Sequence, residues 1–340
     1  MVKFGLIGYG LWGKHHATAM REAGGIDLRA VACASEATAH QARQALPGVA
    51  VVTGYASLLA LPGIDAVAIV TPNHLHAQMT LAALEAGKDV LLEKTMALTV
   101  EDCASINHAA RRSGRTVSLV HQFRLSTQWG ALKHWIDAGD IGEPQYANVS
   151  LFRFPYRPGS GDWRYRREQV GSWILEEPVH FFDNVMWYFD SLGDPVSVCA
   201  AGNSRRGVPG MNENFSCVLR WRGGAYATIT QTLTGFENHQ VVEVTGTEGS
   251  IRTWWSGATD RTRHPQFELK RKSRGSEHAE TVAIGPSGEV FELTETYRRI
   301  GAAFASKRPL VSGEEAIKRI QVCLDAERSL AAGQELALVF

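Results

Sequence analysis

The most constraining feature of this chain lies in its first thirteen residues. An apolar run, Val2 to Ile7, leads directly into Gly8-Tyr9-Gly10-Leu11-Trp12-Gly13. Lys14 to Ala23 then reads as a helix stopped by Gly24-Gly25, and Asp27 to Ala34 as a second strand. A GxGxxG loop where a strand turns into a helix, inside a βαβ unit, is a dinucleotide-binding fingerprint. Gly8 permits the tight turn. Gly10 removes a side chain where a pyrophosphate must approach, and Gly13 lets the helix pack close to the strand. The helix start offers N–H groups and a positive dipole end to phosphates. A mere strand–helix corner is the bland alternative.

The alternation continues. Helical Gln41 to Leu46 precedes strand-like Val49 to Thr53, and a short helix is expected over Tyr55 to Leu61. Ala66 to Val70 is almost wholly apolar, as a central parallel strand should be. It ends in Thr71-Pro72-Asn73-His74-Leu75-His76, followed by a helix stopped at Gly87. Val90 to Leu92 ends in Glu93-Lys94; a helix over Val100 to Ser113 and a strand over Thr116 to Val120 complete the series. Strands alternating with helices predict a doubly wound parallel sheet, with ligands beyond its C-terminal strand ends. Those ends carry Gly8–Gly13, Thr71–His76, Lys94 and His121–Arg124.

From about Phe123 the pattern changes to consecutive strand-like segments separated by turns, from Gln145 to Phe154 through to Glu289 to Leu293, with a closing helix over Glu314 to Ala331. This predicts a Rossmann domain over 1–122 and an α+β domain over 123–340 built on a largely antiparallel, open-faced sheet. Arg271 to Gly285 is polar and is read as a hairpin or loop. The length of 340 residues also suits two domains, at roughly 150 residues each.

Composition removes several classes of function. Lys+Arg and Asp+Glu are both 35, so no global basic field invites nucleic acid or an anionic membrane. The five cysteines are scattered and form no CxxC pair, which argues against a disulfide framework and a zinc site and suits a reducing compartment. No apolar stretch approaches the roughly 20 residues of a membrane span, and no leader pattern follows Met1. The expectation is a soluble, cytoplasmic protein without a metal. His15, His16, His74 and His76 match no metal-ligand spacing.

The strand-ending TPNHLH (71–76), the AGKDVLLEK run (86–94) and the opening GYGLWG together resemble the Gfo/Idh/MocA family of NAD(P)-dependent sugar and polyol oxidoreductases. The family pattern is TPNxxH followed by AGKxVxxEKP; here Thr95 stands in place of the proline. Asp162 to Asp183, DWRYRREQVGSWILEEPVHFFD, is similar to the family's WR…GGxxxDxGxHxxD signature. Trp163-Arg164, His180 and Asp183 match, Gly171-Ser172 stand for GG, Glu176 replaces the usual aspartate, and Glu177-Pro178 replace an apolar residue and glycine. The resemblance implies cofactor contacts from Gly8, Tyr9, Gly10, Leu11, Trp12, Gly13, Ser35, Glu36, Thr71, Pro72, Asn73, His76, Glu93 and Lys94. It also implies substrate contacts from Arg124, Trp163, Arg164, Glu177 and Asp183.

The implied chemistry is oxidation of a carbohydrate or polyol hydroxyl. His180 is the general base, Lys94 orients the hydroxyl and stabilises the alkoxide, and Glu176 polarises the pair. Pro178 suits the first turn of a helix, so a helix beginning near Glu176 would put Glu176 and His180, four residues apart, on one face. Alone, His180 would read as a core histidine and Lys94 as a solvated charge. The family's position for an acidic ribose ligand aligns with Cys33. Ser35 can bond a 2′-phosphate but has no adjacent cation, Arg43 being a helix away, and Glu36 can take the ribose; the balance favours NAD over NADP. Five arginines between Arg153 and Arg167 suggest an anionic sugar, against the bland reading of a solvated, paired loop. Two other functions are weighed: a redox-neutral NAD-dependent glycosidase with Glu177 as an extra acid, and a non-enzymatic sugar or dinucleotide sensor. A homo-oligomer formed through the C-terminal sheet is expected.

Overall fold

The computed structural model describes residues 1–205 and 207–340. The chain divides into two compact units. The first holds Met1–His121, Pro158–Gly171 and Leu293–Ile320; the second holds Gln122–Arg157, Ser172–Glu292 and Gln321–Phe340. The units are thus not continuous in sequence as a single division at 122/123 would make them: the chain first crosses between His121 and Gln122, and two later stretches return to the first unit.

The first unit is built from β1 (Val2–Ile7), α1 (Leu11–Ala23), β2 (Ile26–Cys33), α2 (Glu36–Ala45), β3 (Ala50–Thr53), α3 (Tyr55–Leu59), β4 (Ala66–Ile69), α4 (His76–Glu85), β5 (Asp89–Leu92), α5 (Val100–Ser113) and β6 (Val117–Leu119). The six strands form one parallel sheet in the order β3-β2-β1-β4-β5-β6. The order reverses beside β1, so the GxGxxG loop stands at the topological switch point, where such sheets bind ligands. β4 is buried at every position, as its uninterrupted apolar sequence requires. Helix ends are set locally. Ser35 caps α2 by accepting from the Thr38 N–H, and Thr99 caps α5 by accepting from the Asp102 N–H.

The second unit begins with α6 (Trp129–Asp137) and β7 (Pro144–Phe152). After α7 (Arg167–Val170), which lies in the first unit, it resumes with α8 (Trp173–Glu176) and α9 (Pro178–Tyr188). Then come β8 (Ser197–Asn203), β9 (Asn214–Arg220), β10 (Tyr226–Thr232), β11 (Asn238–Gly246), β12 (Ser250–Gly257), β13 (Gln266–Lys272) and β14 (Glu280–Thr281). Nine strands pair in the order β14-β13-β12-β11-β7-β10-β9-β8-β15, the last being Leu336–Ala337. Among the described residues of this sheet, only β7 and β10 run parallel. The Arg271–Gly285 stretch does contain the hairpin, β13 with β14. The strands alternate buried with part-buried residues, and α9 lies across β7 and β10. Phe181, Phe182, Val185 and Tyr188 of α9 are each at most 1% exposed, so nearly the whole turn of this helix is core.

One expected strand is a helix. Glu289 to Leu293 opens α10 (Glu289–Ala305), which is followed by α11 (Gly313–Ala332). The short window looked apolar and alternating, but the longer period is helical: Val290, Leu293, Tyr297, Ile300 and Phe304 recur at three- and four-residue steps and all are buried. Leu293 to Phe304 pack on Phe4 and Leu6 of β1; the Phe4 ring meets Tyr297 edge-on and stacks on Phe304, both at 6.0 Å. That packing is why a late stretch belongs to the N-terminal unit. Among the described residues no helix is long and apolar enough to cross a membrane.

The corner that begins α1 tolerates a side chain at one glycine and not at another. An ideal Cβ on Gly13 would lie 2.1 Å from the Gly8 carbonyl oxygen, while one on Gly10 would meet nothing within 4 Å. Gly13→Ala is therefore expected to destabilise the fold by about 1–3 kcal/mol, the scale of an overpacked contact, and Gly10→Ala by less than about 0.5 kcal/mol. Urea unfolding of the two variants checks this.

Candidate active site

In the first unit the glycine loop has the shape a pyrophosphate needs. Gly8 takes φ +101°, and a Cβ there would strike the Val70 carbonyl at 2.1 Å. Gly10 is the N-cap of α1, with no side chain capping the helix, and open space lies over its Cα. The first N–H groups of α1 and that open approach fit a bound dinucleotide.

Directly behind the loop is a buried carboxylate. Glu93 follows β5 and is 4% exposed. Its Oε1 accepts from the Trp12 indole N–H at 3.0 Å and lies 2.9 Å from His16 Nε2, and its Oε2 accepts from the Lys94 backbone N–H at 3.2 Å. His16 Nδ1 in turn lies 2.7 Å from the Tyr297 hydroxyl. Burial alone would raise the Glu93 pKa, but the His16 contact, the Lys94 charge and the Trp12 bond outweigh it and hold the carboxyl below its ordinary value. Glu93 was expected to touch cofactor. Its carboxylate is instead committed to α1 and to the peptide that carries Lys94, because a buried anion must be neutralised where it stands.

The TPNHLH stretch is likewise a brace. His76 is fully buried, with Nδ1 2.6 Å from the Thr95 carbonyl and Nε2 2.9 Å from the Thr71 carbonyl. It ties the end of β4 to the Lys94-Thr95 turn through two backbone carbonyls. Thr95, standing where the family has proline, is fully buried and held by this bond. Asn73 donates to the Val170 carbonyl at 3.1 Å, joining the same loop to the returning 158–171 segment. Tyr9 is 5% exposed, and its ring packs in the core. Trp163 and Arg164 lie in the returning segment and form a pair, the guanidinium 4.4 Å from the indole centroid.

In the second unit the helix register departs from expectation. Glu176 ends α8, Glu177 breaks the backbone at φ −122°, ψ −48°, and α9 starts at Pro178. Glu176 and His180 are thus not one turn apart on one helix. Proline at N1 forbids an N–H bond back to the preceding turn, and the chain bends there. His180 does sit in the first turn of α9, 3% exposed, its ring 4.9 Å from that of Phe123. Glu176 is 4% exposed.

Three expected substrate contacts turn out to be frame. Arg124 Nε and Nη2 donate to the two carboxylate oxygens of Asp183 at 2.8 and 2.6 Å, a bidentate pair, and the guanidinium stands 5.3 Å from the Trp187 ring. Glu177 accepts from Arg153 Nη1 at 2.8 Å, and Arg153 Nη2 also donates to Asp260 at 3.1 Å. Both residues are under 8% exposed. Burial disfavours the Arg153 charge, but Glu177, Tyr156 and Asp260 more than offset it and raise its pKa. Glu177 is therefore held as a counter-ion of Arg153. Arg153 leaves the expected anion-binding group for the same reason, and Arg157 stands 3.6 Å from Asp260.

Sequence reasoning missed the partners of these groups. Asp260 lies on no motif and is reached only through the fold. Asn184 was legible in principle, four residues beyond His180 on a buried helix. It is 1% exposed, and neither amide atom has a hydrogen-bond partner among the described residues. A buried amide in that condition is a ready donor–acceptor pair.

Comparison with known proteins agrees with this architecture. A family model described as the oxidoreductase family with an NAD-binding Rossmann fold matches residues 2–121, and the GFO/IDH/MocA C-terminal domain matches residues 129–252. The 1,5-anhydro-D-fructose reductase of Ensifer adhaerens is 29% identical over 98% of both chains. The levoglucosan dehydrogenase of Pseudarthrobacter phenanthrenivorans is 24% identical over 98% of this chain and 93% of its own. Among solved structures, the aldose-aldose oxidoreductase of Caulobacter crescentus superposes with a TM-score of 0.85 at 19% identity, covering 99% of each chain. Two matched domains spanning most of its length, on the fold just described, make this chain a member of the Gfo/Idh/MocA oxidoreductase family.

Proposed function

We propose that this chain is an NAD(P)-dependent oxidoreductase acting on a hydroxyl-bearing carbon of a carbohydrate or polyol. The observation that carries the reading is the full-length similarity to a 1,5-anhydro-D-fructose reductase in a chain that keeps Lys94 and His180. The named sugar enzymes differ in substrate, so the class and not the individual sugar is what they support.

Each residue has a task. The Gly8–Gly13 loop and the first N–H groups of α1 hold the pyrophosphate. A bound nicotinamide supplies the acceptor or donor of hydride. Lys94, whose backbone is fixed through Glu93, places a cation beside the reacting oxygen and stabilises the alkoxide. His180 takes the hydroxyl proton in oxidation and returns it in reduction. Glu176, largely removed from water, orients and polarises the histidine. Asn184 offers a further hydrogen bond to a substrate hydroxyl.

Gly10→Val fills the open space over the loop and is expected to weaken cofactor binding about a hundredfold with the melting temperature unchanged; calorimetric titration with NAD and NADP reads both parts of this. Lys94→Ala and His180→Ala are each expected to lower turnover on the true sugar by roughly a hundredfold or more, and the double variant by little beyond either. Near wild-type turnover in His180→Ala would make that histidine structural. Glu177→Gln strands part of a buried ion pair and is expected to cost about 3 kcal/mol in denaturant unfolding. A rate loss without destabilisation would instead make Glu177 an acid–base group.

A further inference from the structure

Four aromatic rings stand in series through the first unit, and the last of them lies in the glycine loop. On the late helix α10, Tyr297 is buried and meets Phe4 of β1 edge-on at 6.0 Å. It also meets the His16 ring edge-on at 5.7 Å, and His16 meets Trp12 in the same way at 5.5 Å. All four residues belong to one compact unit. A phenylalanine at 297 would fill the same space and keep both edge contacts, with no polar atom to satisfy in the core. The Tyr297 hydroxyl therefore serves something other than packing. Among the described residues its one hydrogen-bond partner is His16 Nδ1, at 2.7 Å.

Chemistry fixes the direction of each bond in this chain. The Glu93 carboxyl is held below its ordinary value against burial, so it is a carboxylate, and a carboxylate only accepts. The hydrogen between it and His16 therefore sits on Nε2. Burial and the Glu93 charge push the Tyr297 phenol well above its ordinary value, so the phenol keeps its hydrogen. Among the described residues that hydrogen has no acceptor except Nδ1. The phenol donates, and His16 is fixed as the Nε2–H tautomer. The imidazole then has its one N–H on the Glu93 side. Together with the Trp12 indole N–H it pins Oε1. A carboxylate is planar, so two bonds at Oε1 also set where Oε2 lies, and Oε2 accepts from the Lys94 backbone N–H.

We propose that Tyr297 is a positioning residue for Lys94: its hydroxyl fixes the tautomer of His16, and His16, through Glu93, holds the peptide that presents the lysine. The inference rests on the reading that Lys94 acts on the reacting oxygen. Without the hydroxyl, Nδ1 is buried with no donor. The ring then turns or changes tautomer to satisfy that nitrogen, and its hold on Oε1 goes with it. Trp12 alone does not fix the plane of the carboxylate, so Oε2 and the Lys94 N–H drift apart. A misplacement of about 1 Å can cost a reacting group about a hundredfold in rate. A helix from the far end of the chain thus sets the aim of a side chain it does not touch.

The first readout needs neither sugar nor cofactor. Full-length wild type and Tyr297→Phe are compared by amide hydrogen exchange at single-residue resolution. Exchange of the Lys94 amide is expected to rise about tenfold in the variant, the scale of one lost hydrogen bond, while the amides of β1 and α10 stay within about twofold. Faster exchange in β1 and α10 with Lys94 unmoved makes the tyrosine a packing residue and overturns the inference. The ring nitrogens of 15N-labelled histidine give a spectroscopic signature. The His16 signals, identified by their loss in His16→Gln, are expected to show the Nε2–H form in wild type and a mixture of forms in Tyr297→Phe; an unchanged tautomer also overturns the inference. His16→Gln keeps a donor for Glu93 that no tautomer governs, so adding Tyr297→Phe to it is expected to change Lys94 exchange by less than about twofold. Turnover is read on the best substrate from a panel of aldoses, ketoses and inositols. There Tyr297→Phe is expected to lower kcat about tenfold and to leave the KM of the dinucleotide within about twofold. Moved exchange with unmoved kcat keeps the hold of Tyr297 on Lys94 and removes the lysine from catalysis. Unmoved exchange at Lys94 sinks the inference whatever the turnover.

Discussion

The buried carboxylate of Glu93 is the constraint around which the N-terminal unit is organised. A carboxylate removed from water is tolerated only where donors and cations meet it. Here an indole N–H, an imidazole and a backbone N–H converge on its two oxygens. Two of those groups belong to the helix that follows the glycine loop, and the third belongs to the proposed catalytic lysine. Cofactor loop and lysine therefore share one rigid support. The Tyr297 hydroxyl extends that support to α10, so residues far apart in sequence act as one brace.

The C-terminal unit solves a similar problem twice. Asp183 is neutralised by Arg124, and Glu177 with Asp260 by Arg153. Both pairs flank α9, whose first turn carries His180. Such pairs add little net stability compared with apolar packing, because desolvation consumes most of the attraction. What they supply is position: a bidentate fork leaves the carboxylate one orientation, and the helix that carries it inherits that orientation. Several motif residues around His180 thus hold the frame.

That framing role was not legible in the sequence, although much else was. The Rossmann order followed from glycines at a strand–helix corner and from the alternation of short apolar runs with helical ones. Lys94 and His180 stood out because their neighbours matched a spaced pattern. The errors have physical causes. Glu289 to Leu293 is too short a window to distinguish a period of two from one of 3.6. Pro178 was read as lying inside one helix when it opens a second, since a proline at N1 fits either register. Asp183, Glu177, Glu93 and His76 are polar residues on a motif, and a motif does not reveal which of its polar groups are satisfied internally. Arg43 was set aside as distant because sequence separation hides a two-turn reach along a helix, by which its Nη1 comes within 3.4 Å of the Glu36 carboxylate.

The return of residues 293–320 to the first unit bears on how the molecule is made. Phe4 and Leu6 are fully buried, and part of what covers them is Leu293, Tyr297, Ile300 and Phe304. A ribosome delivers β1 first and this covering helix nearly three hundred residues later. At about 10 residues per second, part of the apolar cluster around β1 therefore stays uncovered for most of synthesis. The nascent chain must be shielded through that interval. A gene fragment ending at residue 121 would encode all six strands of the sheet yet lack its lid, and would be recovered as aggregate and not as an isolated nucleotide-binding domain.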